Sequence, residues 1–152
     1  MGKAMFYHLT RSPLEVALPV LLQRSLAAGW RVVVRGGDAE RLRWLDERLW
    51  LAGDDAGFLP HGLAGGPHDA DQPVLLTVDR GFPNAAACLI CIDRAPLDPE
   101  EAAGLERACL MFDGADPAAT EAARDRWRAL AAAGLPAEYW SEASGQWRKE
   151  RG

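Results

Sequence analysis

Lysine is almost absent from this chain: only Lys3 and Lys149 stand among its 17 basic residues. A phosphate-binding loop of the type G-x-x-x-x-G-K-[ST] needs a lysine, and none lies between positions 4 and 148. The net charge of -5 also makes the surface as a whole repel a phosphate backbone. We therefore expect neither a P-loop nor direct nucleic-acid binding.

Long apolar runs are missing as well. No stretch approaches the roughly 18 apolar residues that cross a bilayer. Residues 1–7 lack the apolar segment and small-residue cleavage site of a signal peptide. With 152 residues, 49% of them apolar and 26% charged, the chain is typical of one globular domain. We expect a cytoplasmic protein that consists of a single domain, 1–152, and does not contact membranes.

Cysteine is scarce and odd in number: Cys88, Cys91 and Cys109. Without a secretory signature, this count argues against a disulfide framework. The spacing Cys88-x-x-Cys91 falls inside the strand-like run 87–92, where residues three apart point to opposite faces. The two sulfurs therefore cannot share a metal or readily close a disulfide. We predict that the cysteines pack in the core and bind no metal.

Motifs for cofactors and nucleophiles are missing. The glycine pairs at 36–37 and 65–66 do not make a G-x-G-x-x-G turn, and none of the four serines lies in a G-x-S-x-G setting. We therefore predict no cofactor and no catalytic residue.

Histidines and carboxylates also lack the spacing of a metal or acid–base site. His8 and His68 have no spaced partner, and His61 is better interpreted as a hydrogen-bonding group that orders a loop than as a metal ligand. Asp46 and Glu47 are adjacent on a predicted helix, so their side chains diverge by about 100°. A solvated helix face is the better interpretation.

Strand-like and helix-like segments alternate along the chain. Strands are predicted at 5–9, 30–34, 74–78, 87–92 and 107–112, and helices at 12–28, from 38, from 98 and at 116–133; a last extended piece carries Tyr139, Trp140 and Trp147. Strands that alternate with helices predict right-handed crossovers and a mostly parallel sheet. The expected fold is a Rossmann-like three-layer α/β domain without a nucleotide site.

Local signals predict several details of the helices. The residues from Ser12 to Glu15 predict a capping box at the start of the first helix. Pro19 predicts an interruption of that helix, and Asp116 is predicted to cap the last helix. Leucines at 42, 45 and 49 form an apolar stripe on the second helix. The glycine- and aspartate-rich stretch 53–72 reads as a long irregular loop, and such loops are often functional.

Two groups of residues combine aromatics with charge, a composition that favours contact with another macromolecule. In the first, Trp50 ends a helix and Phe58 leaves the loop, so the two can form an exposed apolar anchor. Ordinary core packing is the alternative, which the residues alone favour.

In the second group, Arg124 and Arg128 lie one turn apart beside Trp127. Like charges at this spacing disfavour an isolated helix, which suggests an anionic partner. Local neutralisation by Asp125 on a solvated face is an equally good interpretation from the sequence alone.

Five short motifs occur in a familiar order: F-Y-H-L at 6–9, L-D-E-x-L-W at 45–50, F-L-P-H-x-L at 58–63, F-D-G at 112–114 and A-R-x-R-W at 123–127. Together they resemble the chi subunit of bacterial DNA polymerase III. The resemblance implies a non-enzymatic adaptor in the clamp-loader complex. One surface would bind the psi subunit or, alternatively, a DNA-repair helicase, and another would bind the C-terminal tail of single-stranded DNA-binding protein.

The resemblance also assigns roles to residues of this chain. Trp50 and Phe58 correspond to the surface that binds psi or the helicase, and Arg124, Arg128 and Trp127 to the tail-binding surface. Thr120 stands where the family often has a third basic residue, which leaves the strength of tail binding open. The alternative class is a nucleotide-dependent or hydrolytic enzyme on the same fold, which the missing phosphate and nucleophile motifs disfavour.

Overall fold

Strands and helices alternate in the computed structural model of the chain, which describes residues 2–56, 60–142 and 148–151. The strands are β1 Ala4–Leu9, β2 Val32–Arg35, β3 Gly62–Leu63, β4 Val74–Thr77, β5 Cys88–Cys91, β6 Arg107–Asp113, β7 Ala137–Ser141 and β8 Arg148–Arg151. The helices are α1 Leu14–Ala27, α2 Ala39–Ala56, α3 Pro99–Ala103 and α4 Pro117–Ala132, with one turn of 3₁₀ helix at Asp69–Asp71.

The strands form one sheet in the order β3-β4-β2-β5-β6-β1-β7-β8. From β3 to β7 every neighbouring pair is parallel, and only β8 pairs antiparallel, with β7. Helices flank the sheet, as crossovers between parallel strands require. The prediction of a Rossmann-like α/β fold with a mostly parallel sheet is confirmed.

Each face of the sheet has its own hydrophobic core. On one face, buried leucines of α1 pack with the predicted stripe of α2, whose members Leu42, Leu45 and Leu49 are all buried. On the other face, α3 and α4 contribute small residues and Leu130 against Phe6. Because both faces of the sheet are buried, the strands are continuous apolar runs in the sequence.

The cysteines lie where strand geometry predicts. Cys88 packs in the α1–α2 core and Cys91 in the opposite core, and both are fully buried. Burial raises the pKa of the Cys91 thiol to about 12. Cys109 on the neighbouring strand packs in the same core as Cys88, a proximity that the spacing along the chain does not reveal.

Two local predictions about α1 are wrong. The predicted Ser12 cap is wrong: Pro13 occupies the N-cap position of α1, and the Ser12 hydroxyl donates instead to Glu142 at 2.8 Å. The helix also continues through Pro19 to Ala27. By contrast, the prediction that Asp116 caps α4 is confirmed, since its Oδ1 accepts from two backbone N–H groups of the first turn.

The stretch 53–72 is more ordered than predicted. Helix α2 continues to Ala56, and Gly62–Leu63 pairs with β4 as the edge strand of the sheet. A strand of two residues shows no alternation of apolar and polar residues, so its pairing cannot be recognised from the pattern alone.

Glu142 holds the turn between β1 and α1. Its Oε1 accepts hydrogen bonds from the backbone N–H groups of Thr10, Arg11 and Ser12 at 3.0, 2.8 and 2.7 Å. The side chain is buried, with 4% of its surface exposed. Burial opposes ionisation of this carboxyl, but its hydrogen-bond donors outweigh burial and lower the pKa of Glu142.

We expect Glu142→Gln to lower the free energy of unfolding at pH 7 by about 1.5–3 kcal/mol, since hydrogen bonds to a charged acceptor are replaced by weaker ones. Because the folded pKa lies below the unfolded value of 4.5, the loss should shrink as the pH falls from 5 toward 3. Urea unfolding across this range measures it. Glu47→Gln, at an exposed position of α2, is the control. A pH-independent difference would contradict the charge argument.

Candidate partner-binding sites

A pocket of about 580 Å³ opens beside α4. Its walls come from α4 and from strands β1, β6 and β7; they are Phe6, Phe112, Thr120, Ala123, Arg124, Trp127, Arg128 and Tyr139. All three residues predicted for the tail-binding surface, Arg124, Trp127 and Arg128, line this α4 pocket. Helical spacing places them on one side of α4, and the crossover from β6 sets that side against the sheet.

Aromatic rings form the floor of the α4 pocket. The Trp127 ring meets Phe6 edge-on with centroids 5.2 Å apart, and meets Tyr139 edge-on at 6.2 Å. Phe6 is buried, whereas Trp127 and Tyr139 are half-buried. Phe6 and Tyr139 are paired in the register of β1 and β7, so their side chains point to the same face. The floor can therefore receive a further apolar or aromatic group edge-on.

Arginines form the rim of the α4 pocket. The side chains of Arg124 and Arg128 are 65% and 68% exposed, and each has a carboxylate one turn earlier: Glu121 at 3.6 Å and Asp125 at 3.0 Å. For Arg128, the structure thus contains the ion pair with Asp125 that the alternative of local neutralisation requires. Exposed pairs of this kind are worth only about 0–1 kcal/mol, so an incoming anion can replace them.

Thr120 lies on the wall of the same pocket. Its hydroxyl donates to the Asp116 carbonyl oxygen at 3.1 Å. The lining residues carry two guanidinium groups and no carboxylate, so the mouth of the pocket favours an anion without a third basic residue.

His8 stands behind the pocket floor, and sequence reasoning missed it. Its ring stacks on Phe112 with centroids 4.9 Å apart, and its Nδ1 shares a hydrogen bond with the Tyr139 hydroxyl at 2.6 Å. Tyr139 lies 131 positions away along the chain, so no local pattern signals the pair. Gly114 leaves room for the imidazole, since a Cβ at that position would collide with it.

The charge state of His8 is coupled to the pocket rim. Burial lowers the pKa of His8, and the positive charge of Arg124 lowers it further. Asp113 and Glu142 act in the opposite direction but do not compensate. The neutral imidazole is therefore the favoured form near neutral pH.

Trp50 belongs to a separate surface at the end of α2. It is 48% exposed, and its ring centroid lies 4.2 Å from that of His61. His61 is buried, with Nε2 at 3.2 Å from both the carbonyl oxygen and the carboxylate of Asp46, which confirms it as a hydrogen-bonding group. Phe58 lies outside the described residues, so a shared patch of Trp50 and Phe58 stays a prediction.

The carboxyl ends of the parallel strands, where Rossmann-like folds bind their ligands, surround a second pocket. Its upper wall is the turn between β1 and α1, whose N–H groups at positions 10–12 point at Glu142. Within 2–56, 60–142 and 148–151, no group of three or more histidine, cysteine, aspartate or glutamate side chains is arranged to hold a metal. No helix in those ranges is both long and apolar enough to cross a membrane.

Comparison with known proteins agrees with the motifs. The sequence pattern of the family described as DNA polymerase III chi subunit, HolC, matches residues 1–138. A protein of Rickettsia prowazekii (strain Madrid E), named as a probable DNA polymerase III subunit chi, is 26% identical over 92 residues, which is 60% of this chain and 55% of that protein. The match thus spans about half of the relative's length. Because the family pattern covers most of the sequence, the chain belongs to the DNA polymerase III chi subunit family.

Proposed function

We propose that this chain is a non-enzymatic adaptor of the clamp-loader complex. It holds the acidic C-terminal tail of single-stranded DNA-binding protein in the α4 pocket and binds the psi subunit through the surface around Trp50. Membership of the chi family supports the setting. The observation that carries the tail site is the α4 pocket itself, an aromatic floor below two exposed arginines with no carboxylate among its lining residues.

The chemistry of such a tail suits the α4 pocket in two parts. A terminal aromatic side chain enters between Phe6, Trp127 and Tyr139, where edge-on contacts are available. The terminal α-carboxylate then reaches Arg124 or Arg128, whose planar guanidinium groups bind carboxylates with two parallel hydrogen bonds. The pocket volume of about 580 Å³ falls in the usual range for small ligand sites, about 300–1,000 Å³.

The negative net charge of the chain does not prevent this binding. At physiological ionic strength the Debye length is about 8 Å, so distant carboxylates are screened while the rim arginines act at contact distance. On binding, Arg124 and Arg128 exchange Glu121 and Asp125 for the carboxylates of the tail. Binding of this kind weakens as salt is added.

The second surface centres on Trp50. A tryptophan that is half exposed and supported by the buried His61 ring is preorganised for a partner, since its orientation is already set. Phe58 lies two positions after Ala56, the last residue of α2, and would extend the same apolar anchor. A DNA-repair helicase is the alternative partner for this surface, and the two partners would then compete.

The absence of catalysis is part of the proposal. At the turn between β1 and α1, where a nucleotide phosphate would bind in a Rossmann-like fold, three backbone N–H groups already donate to Glu142. This arrangement supports an adaptor over a nucleotide-dependent or hydrolytic enzyme.

For the tail site, we expect Arg124→Ala to weaken binding of a free-acid tail peptide roughly tenfold to a hundredfold, since one charge-assisted hydrogen bond of about 1.5–3 kcal/mol is lost. Isothermal titration against the peptide and its C-terminally amidated twin measures this. Arg43→Ala, an exposed arginine of α2, is the matched control and should bind normally. Equal affinities for the two peptides would rule out the carboxylate contact.

The lowered pKa of His8 makes tail binding depend on pH. A bound carboxylate beside Arg124 offsets the positive charge that disfavours the imidazolium, so binding raises the pKa of His8 and takes up a proton. Affinity should therefore rise as the pH falls from 8 to 5.5, and the rise should disappear in His8→Gln. Titration calorimetry, with NMR of the His8 ring in the free and bound protein, provides the measurement. A rise of the same size in His8→Gln would contradict this coupling.

At the other surface, Trp50→Ala and Phe58→Ala should each weaken capture of the purified psi subunit by at least about 1 kcal/mol, since exposed aromatic anchors dominate many interfaces. Thermal unfolding should change little for Trp50→Ala because the ring is half exposed. Val78→Ala, at another exposed apolar position, is the control. Wild-type binding of psi by both aromatic variants would move the psi surface elsewhere.

A further inference from the structure

Part of the sheet on the α1–α2 side is only partly covered by the residues that the structure describes. Helix α1 packs over β2, and α2 packs over β3 and β4. Tyr7 of β1 and Trp140 of β7 are register partners, so they point to the same face, and both are only half-buried. Sheets made of parallel strands are normally covered by helices on both faces. At β1 and β7 the described residues therefore leave part of this face open beside α1.

A groove of about 290 Å³ runs along this part of the sheet. Its apolar walls include Tyr7, Trp140, Val16 and Val20. The two valines are 57% and 49% exposed. They are one helical turn apart, so they form one continuous apolar strip on α1. Arg24 continues the strip one turn further along α1.

The end of the groove carries positive charge that is not neutralised nearby. Arg24 is exposed, and Arg107 reaches the groove from β6. Among the described residues, neither arginine forms an ion pair. Arg107 lies over the Trp30 ring at 5.0 Å from its centroid, and its Nε is buried without a hydrogen-bond partner.

The carboxylate of Glu138, on the same face of β7 as Trp140, is already engaged. Glu138 pairs with Lys3 at 2.5 Å and accepts a hydrogen bond from the Trp140 indole at 3.0 Å. The pKa of Glu138 is lowered, and the hydrogen bond from Lys3 is the largest cause. In a chain of net charge -5, the groove thus joins an exposed apolar strip to two arginines that lack a counter-charge.

We propose that this groove, the α1 groove, docks an amphipathic helix of another protein. The apolar face of that helix packs on Val16, Val20 and Trp140, and an acidic side chain near its end reaches Arg24 and Arg107. A helix suits the space because packed helices lie about 8–10 Å apart, so it would complete the layer beside α1.

The α1 groove is separate from both surfaces of the proposed function. It lies on the opposite face of the sheet from the α4 pocket, because Phe6 and Tyr7 alternate across β1. Helix α2, which carries Trp50, packs over β3 and β4, and β4 is four strand positions, about 19 Å, from β1. The α1 groove therefore shares no lining residue with the α4 pocket and does not include Trp50.

The probe is a synthetic helical peptide with leucines on one face, spaced three and four residues apart, and glutamates beside them. Its twin has lysine in place of every glutamate. Fluorescence anisotropy should show that the intact protein binds the glutamate peptide at least tenfold more tightly than the lysine twin. Val20→Asp should weaken binding at least tenfold, and Arg24→Glu should remove the preference for glutamate.

Val78→Asp, which places the same new charge at a distant exposed valine, is the matched control. Val16→Asp is a second variant in the groove, and circular dichroism verifies that each variant is folded. Affinity for the single-stranded DNA-binding protein tail is measured in parallel and should not change in these valine variants, so a failure of either proposal is recognised separately.

Three results would overturn the proposal. The first is no measurable binding of the glutamate peptide, and the second is equal affinity for both peptides. The third is a dimer of the free protein in sedimentation that dissociates in Val20→Asp, because the groove would then belong to a second copy of the chain.

Discussion

Parallel pairing of β1 on both of its edges is the constraint on which the rest of the structure depends. β1 lies between β6 and β7, with Phe6 opposite Leu110 on one side and Tyr139 on the other. Successive residues of a strand point to opposite faces, so Phe6 and His8 serve the α4 pocket while Tyr7 serves the α1 groove. A register slip of one residue would exchange the two sets and destroy both surfaces.

Arginine has two different uses in this chain, and burial distinguishes them. Arg35 at the end of β2 is fully buried and binds both carboxylate oxygens of Glu101, at 2.9 and 2.7 Å. Hydrogen bonding from Arg35 lowers the pKa of Glu101, and removal of Glu101 would leave the buried Arg35 charge without its counter-ion. The ion pairs of Arg124 and Arg128 with neighbouring carboxylates are exposed to solvent, where such pairs are weak and exchangeable. The first pair secures the fold, whereas the second leaves charge available to a partner.

Sequence patterns were sufficient wherever one element determines the outcome. The leucine stripe of α2 and the Asp116 cap follow from helical spacing and from the chemistry of one side chain. The clustering of Arg124, Trp127 and Arg128 follows from spacing on one helix together with the predicted fold. The separation of Cys88 and Cys91 follows from the period of a strand.

The patterns failed wherever two distant segments meet. Ser12 is a residue type that often caps helices, but its hydroxyl donates instead to Glu142, which lies 130 positions away along the chain. His8 looks isolated until β7 brings Tyr139 beside it. Trp50 is placed by α2, whereas Phe58 is not among the described residues, so the predicted pairing of the two stays a prediction. Long-range partners of polar side chains are therefore the part of the candidate sites that composition and spacing do not encode.

The carboxylate of Glu142 occupies an anion-binding group of its own chain, the backbone N–H groups at positions 10–12. A tethered carboxylate acts at an effective concentration in the millimolar range or above, so a dissolved phosphate or nucleotide must compete with it on unequal terms. The turn that meets a phosphate in nucleotide-binding proteins of this architecture is thus filled from within the chain, by the carboxylate of the residue that follows β7.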